Sequence, residues 1–211
     1  MNRFIVLESV AVILLALASG STLAQKQDRT TPLAPGSVWV NQVQDTGSFG
    51  SGSSEVESRM REITWEGQKT LVVKMPAGGI LLQPNGEWKG YLDQEDKLLM
   101  GFDPPLSFDW PLEVGKVTTR THQVRIAGQD SPVLMEVKQT VEAYEDVTVP
   151  AGTFKAYRVR SEDNLGLTSV DWFNPESRLF VKRSLVRSAS HSQGPGTRET
   201  MLKSHDVRAL P

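Results

Sequence analysis

From Val38 onward, apolar and polar residues alternate with a period of two over most of the chain. In V-L-M-E-V-K-Q-T-V-E-A, which starts at Val133, the apolar residues Val133, Met135, Val137, Val141 and Ala143 share one parity. Glu136, Lys138, Thr140 and Glu142 occupy the other, with Leu134 and Gln139 as exceptions. Strict alternation places the two sets on opposite faces of a half-buried strand. Residues 117–126, 154–160, 168–173, 179–186 and 197–207 read the same way, less regularly. Earlier strands are expected at 38–43, 55–65, 70–75, 80–83 and 87–92. No stretch of ten or more residues carries a 3.6-residue period, and no internal repeat is visible.

Turn chemistry separates these segments. Pro84-Asn85-Gly86 is a hairpin signal, and Glu66-Gly67-Gln68 centres a second turn on its glycine. D-T-G-S-F-G-S-G-S-S (residues 45–54) and S-H-S-Q-G-P-G (190–196) read as loops, and Asp103-Pro104-Pro105 as a third. Val149-Pro150-Ala151-Gly152 fits a type I turn closed by a glycine bulge, a three-residue hairpin loop. Pro150, Ala151 and Gly152 offer no nucleophile, base or ligand, so this corner is structural. The expected fold is all-β: about ten antiparallel strands in a strongly curved sheet, a half-barrel or open barrel, with little helix beyond a leader. The strand beginning at Val133 would run about 45 Å at roughly 3.3 Å per residue, and strands that long coil. A coiled sheet has a concave face.

The first residues set the expected compartment. Arg3 precedes the apolar run V-A-V-I-L-L-A-L (10–17), and Thr22-Leu23-Ala24 presents small residues to a signal peptidase. Residues 1–24 are expected to be a secretory leader cleaved after Ala24, which sends the chain to the periplasm or the extracellular space. An unbroken membrane span needs about 20 apolar residues, so the mature chain is not expected to span a membrane. No cysteine follows the leader, so no lipid is attached there, no disulfide forms and no Cys-ligated metal is expected. Residues 25–35 read as a flexible lead-in, and 36–208 as one antiparallel β domain. A formal net charge of -2 gives no reason to expect nucleic acid as a partner.

V-T-V-P-A-G-T-F-K-A-Y-R-V (147–159), D-W-F-N-P-E-S-R-L-F-V-K-R (171–183) and W-P-L-E-V-G-K (110–116) together resemble a family of exported bacterial domains of unknown function. The resemblance spans about residues 106–186. It implies a curved antiparallel sheet similar to the half-barrel of periplasmic lipoprotein carriers, and it brings no catalytic residues. D-W-F at 171–173 departs from an aromatic-rich Y-W-Y-type run.

Candidate chemistry is sparse. His122, His191 and His205 lack ligand spacing, so no metal site is expected and the three read as solvated. G-S-G-S-S (50–54) has neither the following helix of a nucleophile elbow nor the lysine of a phosphate loop. Glycoside hydrolysis needs two placed carboxylates; Asp93, Glu95, Asp96, Asp163 and Asp171 are the candidates. The aromatic residues say more. Trp88, Tyr91, Phe102, Trp110, Trp172 and Phe173 either line an apolar pocket in the concavity or plug it as core. Lys155, Arg158, Arg160, Arg178, Lys182, Arg183 and Arg187 crowd the late strands, suggesting a basic sheet face or solvated edges.

The leading expectation is a non-enzymatic exported protein, without cofactor, that holds a lipid-like apolar or amphipathic ligand in the concave face. The alternative is an envelope interaction module that docks a protein partner by its sheet edge or its 48–53 loop. A hydrolase stands third.

Overall fold

A computed structural model describes residues 26–210, so the expected leader lies outside the described residues. Twelve strands form a closed antiparallel barrel: β2 (Val38–Gly47), β3 (Gly52–Trp65), β4 (Gln68–Met75), β5 (Gly78–Leu82), β6 (Trp88–Leu92), β7 (Leu98–Leu106), β9 (Val117–Ile126), β10 (Val133–Val149), β11 (Gly152–Asp163), β12 (Leu167–Asn174), β13 (Leu179–Arg187) and β14 (Gly196–Asp206). Two further short strands, β1 (Lys26–Gln27) and β8 (Leu112–Glu113), pair only with each other. Among the described residues there is no helix.

Each barrel strand pairs with its sequence neighbours, and β14 pairs with β2 to complete the ring. This corrects the expected open half-barrel of about ten strands. Curling goes to completion because a closed ring leaves no strand edge unpaired. Asp103-Pro104-Pro105 was expected to be a loop but lies within β7. Its ladder to β9 stops at Asp103 opposite Gln123, and its ladder to β6 skips from Gly101 to Leu106. The prolines therefore sit where no ladder donor is required.

The corner at Pro150 is tighter than expected. The ladder runs on to Val149 opposite Gly152, so only Pro150 and Ala151 stand outside it. Gly152 holds φ at 130°, which keeps it in register, and the irregularity falls instead between Val141 and Ala143.

Up-and-down connectivity gives the barrel two ends. At the lower end lie the 107–116 connection, the Pro150–Ala151 corner and both termini of the barrel. The described part of the expected flexible lead-in is ordered here: Leu33 is 5% exposed and bridges Ala209. Ala34 N–H donates to Arg208 O at 2.7 Å, and Leu210 N–H to Pro32 O at 3.0 Å. Ala151 N–H donates to Leu202 O at 3.0 Å, drawing the β10–β11 corner across β14. Beneath these segments Leu202, Val181 and Ala156 are fully buried in one cluster with Leu33, Met60, Leu71, Val73 and Leu82. At the upper end the connections run from two residues at 76–77 to eight at 188–195.

On β2, β11, β13 and β14 much of the outward face is polar, whereas on β3–β6 Ile63, Val72, Leu81 and Leu92 form an apolar cluster on that same side. Gln42, Gln44, Glu57, Arg59, Arg158, Arg160, Lys182 and Glu199 occupy the parity opposite the core.

Candidate functional site

Alternation and register sort the expected site residues before any contact is considered. Directly paired residues share a face, so Asp171 opposite Val159 and Arg183 points inward with them. Trp172, one residue on, points outward opposite Arg158 and Lys182. Its Nε1–H donates to Glu145 Oε1 at 2.9 Å, and Lys182 Nζ sits 4.7 Å from the ring centroid. Trp172 therefore lies on the face opposite Asp171, half-buried against the cluster that holds Leu202 and Val181.

The other five aromatics come together. Phe102 meets Tyr91 at 5.8 Å between centroids, Tyr91 meets Trp88 at 6.2 Å, and Trp88 meets Phe180 at 6.0 Å. Phe180 continues to Phe173 at 5.9 Å and Phe108 at 5.7 Å, and Trp110 touches both of these rings. All are edge-on, an arrangement worth roughly 0.5–1.5 kcal/mol per pair beyond burial. The rings face one another instead of lining a void, so at this level the barrel is filled. Phe108, which flanks the Asp103-Pro104-Pro105 stretch with Phe102 and Trp110, and Phe180, which the sequence pattern did not single out, complete the chain. Phe108 arrives on the 107–116 connection, which Gln139 secures by accepting from Asp109 N–H at 3.2 Å and donating to Ser107 O at 3.2 Å. Gln139, the polar exception on the apolar parity of β10, thus holds a plug.

One ion pair lies inside. Asp171 is 3% exposed, and Arg183 Nε stands 2.5 Å from its Oδ1, at an angle outside hydrogen-bond geometry. Ser169 Oγ–H donates to Asp171 Oδ2 at 3.0 Å. Arg183 also stacks 5.1 Å from Trp88 and 5.2 Å from Phe180. Burial pushes the Asp171 carboxyl up, while Arg183 and Ser169 oppose that rise without cancelling it. The remaining candidate carboxylates do not join it. Asp93 and Asp163 cap turns by accepting backbone N–H groups, Asp96 pairs with Lys74 and Glu95 with Lys97.

His122 is not solvated, as expected, but 3% exposed. Its Nδ1 lies 2.7 Å from Pro104 O; a carbonyl only accepts, so Nδ1 carries the proton. Beside it is a cavity of about 10 Å³, lined also by Ser107, Arg120 and Gln139, large enough for about one water molecule.

The expected basic face splits in two. Arg158, Arg160 and Lys182 point outward, whereas Arg183 and Arg187 alternate inward on β13. Arg187 approaches the upper rim, where it meets Arg198 of β14 and the β2–β3 turn. Phe49 of that turn lies under both guanidiniums, at 3.7 Å from Arg187 and 5.1 Å from Arg198. Asp45 takes Arg198 in a two-pronged pair, both bonds 2.7 Å. Two glycines make this packing feasible. A Cβ on Gly47 would stand 2.4 Å from Pro195 O, and one on Gly196 would stand 2.7 Å from Ser48 N. The Gly/Ser stretch therefore marks a close backbone crossing at the rim.

Around this rim the inward-facing residues are not sealed. Ser54 is exposed, and Val56, Leu185, Arg187, Arg198 and Thr200 are half-buried. Apolar and cationic groups thus sit half-buried side by side on the inward side of this rim, on β2–β3 and β13–β14. Sequence reasoning listed Arg187 among the basic residues but missed Arg198, Phe49 and Asp45 as its neighbours. The signal lay in register alone, since Asp45, Arg198 and Leu185 occupy one cross-strand row.

No protein-family model matches the chain, and no curated protein matches it. The resemblance to exported domains of unknown function rests on the quoted motifs alone. Among solved structures, the chain is similar to a candidate lipoprotein from Parabacteroides distasonis ATCC 8503, at 12% identity and a TM-score of 0.40, over 86% of this chain and 100% of that one. Likeness at that level carries no argument about function here.

Proposed function

We propose that this protein is an exported, non-enzymatic binding barrel that takes an amphipathic ligand through its upper mouth. One observation carries the reading: the lower end is sealed by fully buried side chains, while half-buried inward apolar groups and arginines share the upper rim. A mouth with apolar walls and a few placed polar groups is the general form of a small-molecule site. The aromatic chain forms the floor of that mouth. The expected ligand position thus moves from the aromatic concavity to the rim above it. Export rests on the N-terminal pattern of Arg3, the apolar run and Ala24.

Two observations weigh against the other readings. A partner docking by a sheet edge needs unpaired backbone, and the ladder closes from β14 to β2. A two-carboxylate hydrolase needs a second acid near Asp171, and the other four candidates hold turns or pair with lysines elsewhere.

Native mass spectrometry of gently purified protein, followed by lipid extraction, tests the proposal. A retained mass of lipid size, and a rise in Tm when an amphiphile is returned to stripped protein, are expected. Protein that carries no such mass and whose Tm ignores every amphiphile overturns it.

A further inference from the structure

The upper rim holds more positive charge than it neutralises. Three arginines face inward on adjacent strands, Arg183 and Arg187 on β13 and Arg198 on β14, against two carboxylates. Asp171 serves Arg183 and Asp45 serves Arg198. Arg187 makes no ion pair with a described carboxylate. Its Nη1 donates to Ser48 O at 3.1 Å and Ser48 Oγ at 3.3 Å. Its Nε is buried and donates to nothing among the described residues. Burial and the neighbouring Arg198 cation push the Arg187 guanidinium below its ordinary value, with Asp45 pulling the other way.

An unpaired guanidinium beside a second one, with a buried donor left unused, is costly in isolation. The cost is relieved by an anion. The Nε and Nη2 donors form the parallel pair that matches two oxygens of a carboxylate or phosphate. Arg198 offers Asp45 this same edge, so Arg198 adds field and Arg187 supplies the free fork.

We infer that Arg187, flanked by Arg198 and the Ser48–Phe49 turn, is an anion site that receives the charged head, a carboxylate or phosphate group, of the ligand whose apolar part enters the mouth. This inference rests on the function proposed above, and it names the head group that function leaves open. The ring of Phe49 covers one face of the Arg187 guanidinium and Nε is buried, so the head enters along the plane of the guanidinium, and the rim around Nε opens to seat it. Asp45 faces the same space and repels a second anion, which limits the site to one charged head.

The test titrates the purified chain with dodecyl phosphate, dodecanol and inorganic phosphate, following tryptophan fluorescence and Tm. Dodecyl phosphate should bind more tightly than dodecanol, and its affinity should fall with salt. Arg187→Gln should weaken dodecyl phosphate about tenfold while dodecanol binding stays as it was. Arg160→Gln, which removes an outward arginine paired to Glu162, should change neither. Arg187→Lys keeps the charge but not the fork and should lose about threefold; it carries the test if the Gln variant does not fold. Equal binding of dodecyl phosphate and dodecanol, untouched by either Arg187 variant, overturns the anion site and leaves the binding barrel standing. An Arg187-dependent response to inorganic phosphate, with no response to either dodecyl compound, keeps the anion site and overturns the amphipathic ligand. Silence from all three overturns both.

Discussion

The two ends of this barrel are made from the same twelve strands, yet one is sealed and the other is not. At the lower end Leu202 and Val181 have no exposed surface. At the upper end Ser54 is exposed and Val56 and Leu185 are half-buried, though all three point inward. Strand alternation cannot account for this, because it treats both ends alike. The connections differ instead. Below, the 28–37 segment, the 107–116 loop and the Pro150–Ala151 corner fold over the opening and bring Leu33, Leu112 and Trp110 with them. Above, the connections run from two residues at 76–77 to eight at 188–195, and Phe49 reaches back over two arginines. Loops carrying apolar residues thus complete the core at the lower end, while inward residues of the upper rim stay half-buried.

The contrast can be broken most severely from below. Leu202→Ala should cost about 3 kcal/mol, since the side chain is fully buried and its neighbours belong to several strands. Urea denaturation reads this directly, and a loss under about 1 kcal/mol would mean that the lower end is looser than its burial indicates. The aromatic chain gives the next largest effect. Trp110→Ala and Trp172→Ala should each cost about 2–3 kcal/mol, since both indoles are half-buried against core clusters. A cost under about 1 kcal/mol for either would contradict that packing.

Gly47→Ala sharpens the comparison at the rim. The residue has φ of 60° and its added methyl would meet Pro195 O at 2.4 Å. A loss of about 1–2 kcal/mol is expected, together with weaker binding of any ligand at the mouth, because the turn carrying Phe49 would shift. The smallest effect is a slope. The Asp171 carboxyl is raised in the fold by burial. The stability this group contributes is therefore fully present below the ordinary carboxylate range and lost as pH rises through its raised value. Measured against Asp171→Asn, whose side chain stays neutral, the unaltered chain should gain relative stability on acidification from neutral pH. A relative loss on acidification would show that Arg183 outweighs burial.

Much of the fold was legible because it is local. The 117–126 strand was read to the residue, and the hairpin at Pro84-Asn85-Gly86 forms with Gly86 at φ 84°. Closure was not legible, because pairing β14 with β2 depends on twist accumulated over twelve strands and no window of sequence holds that sum. β7 was hidden by two prolines that happen to need no ladder partner. The site shows a sharper division. Trp172 and Phe173 are consecutive, so alternation alone puts them on opposite faces, and grouping both in one pocket overlooked that. The same parity argument separates Lys182 from Arg183 and Arg187. What no parity argument reaches is the meeting of Asp45 with Arg198, two residues 153 positions apart, since it exists only once the ring has closed.

That closure has a practical consequence for anyone rebuilding the molecule. Val38 stands opposite Asp206, so the first and last strands of the ring start and finish side by side. A short linker joining them would let the polypeptide begin elsewhere, for instance at the Glu66–Gly67 turn, as a circular permutant with every hydrogen-bonded neighbour retained. In such a rearranged chain the segments that seal the floor become an internal bridge, and the seal could be lengthened, shortened or removed while the wall stays the same.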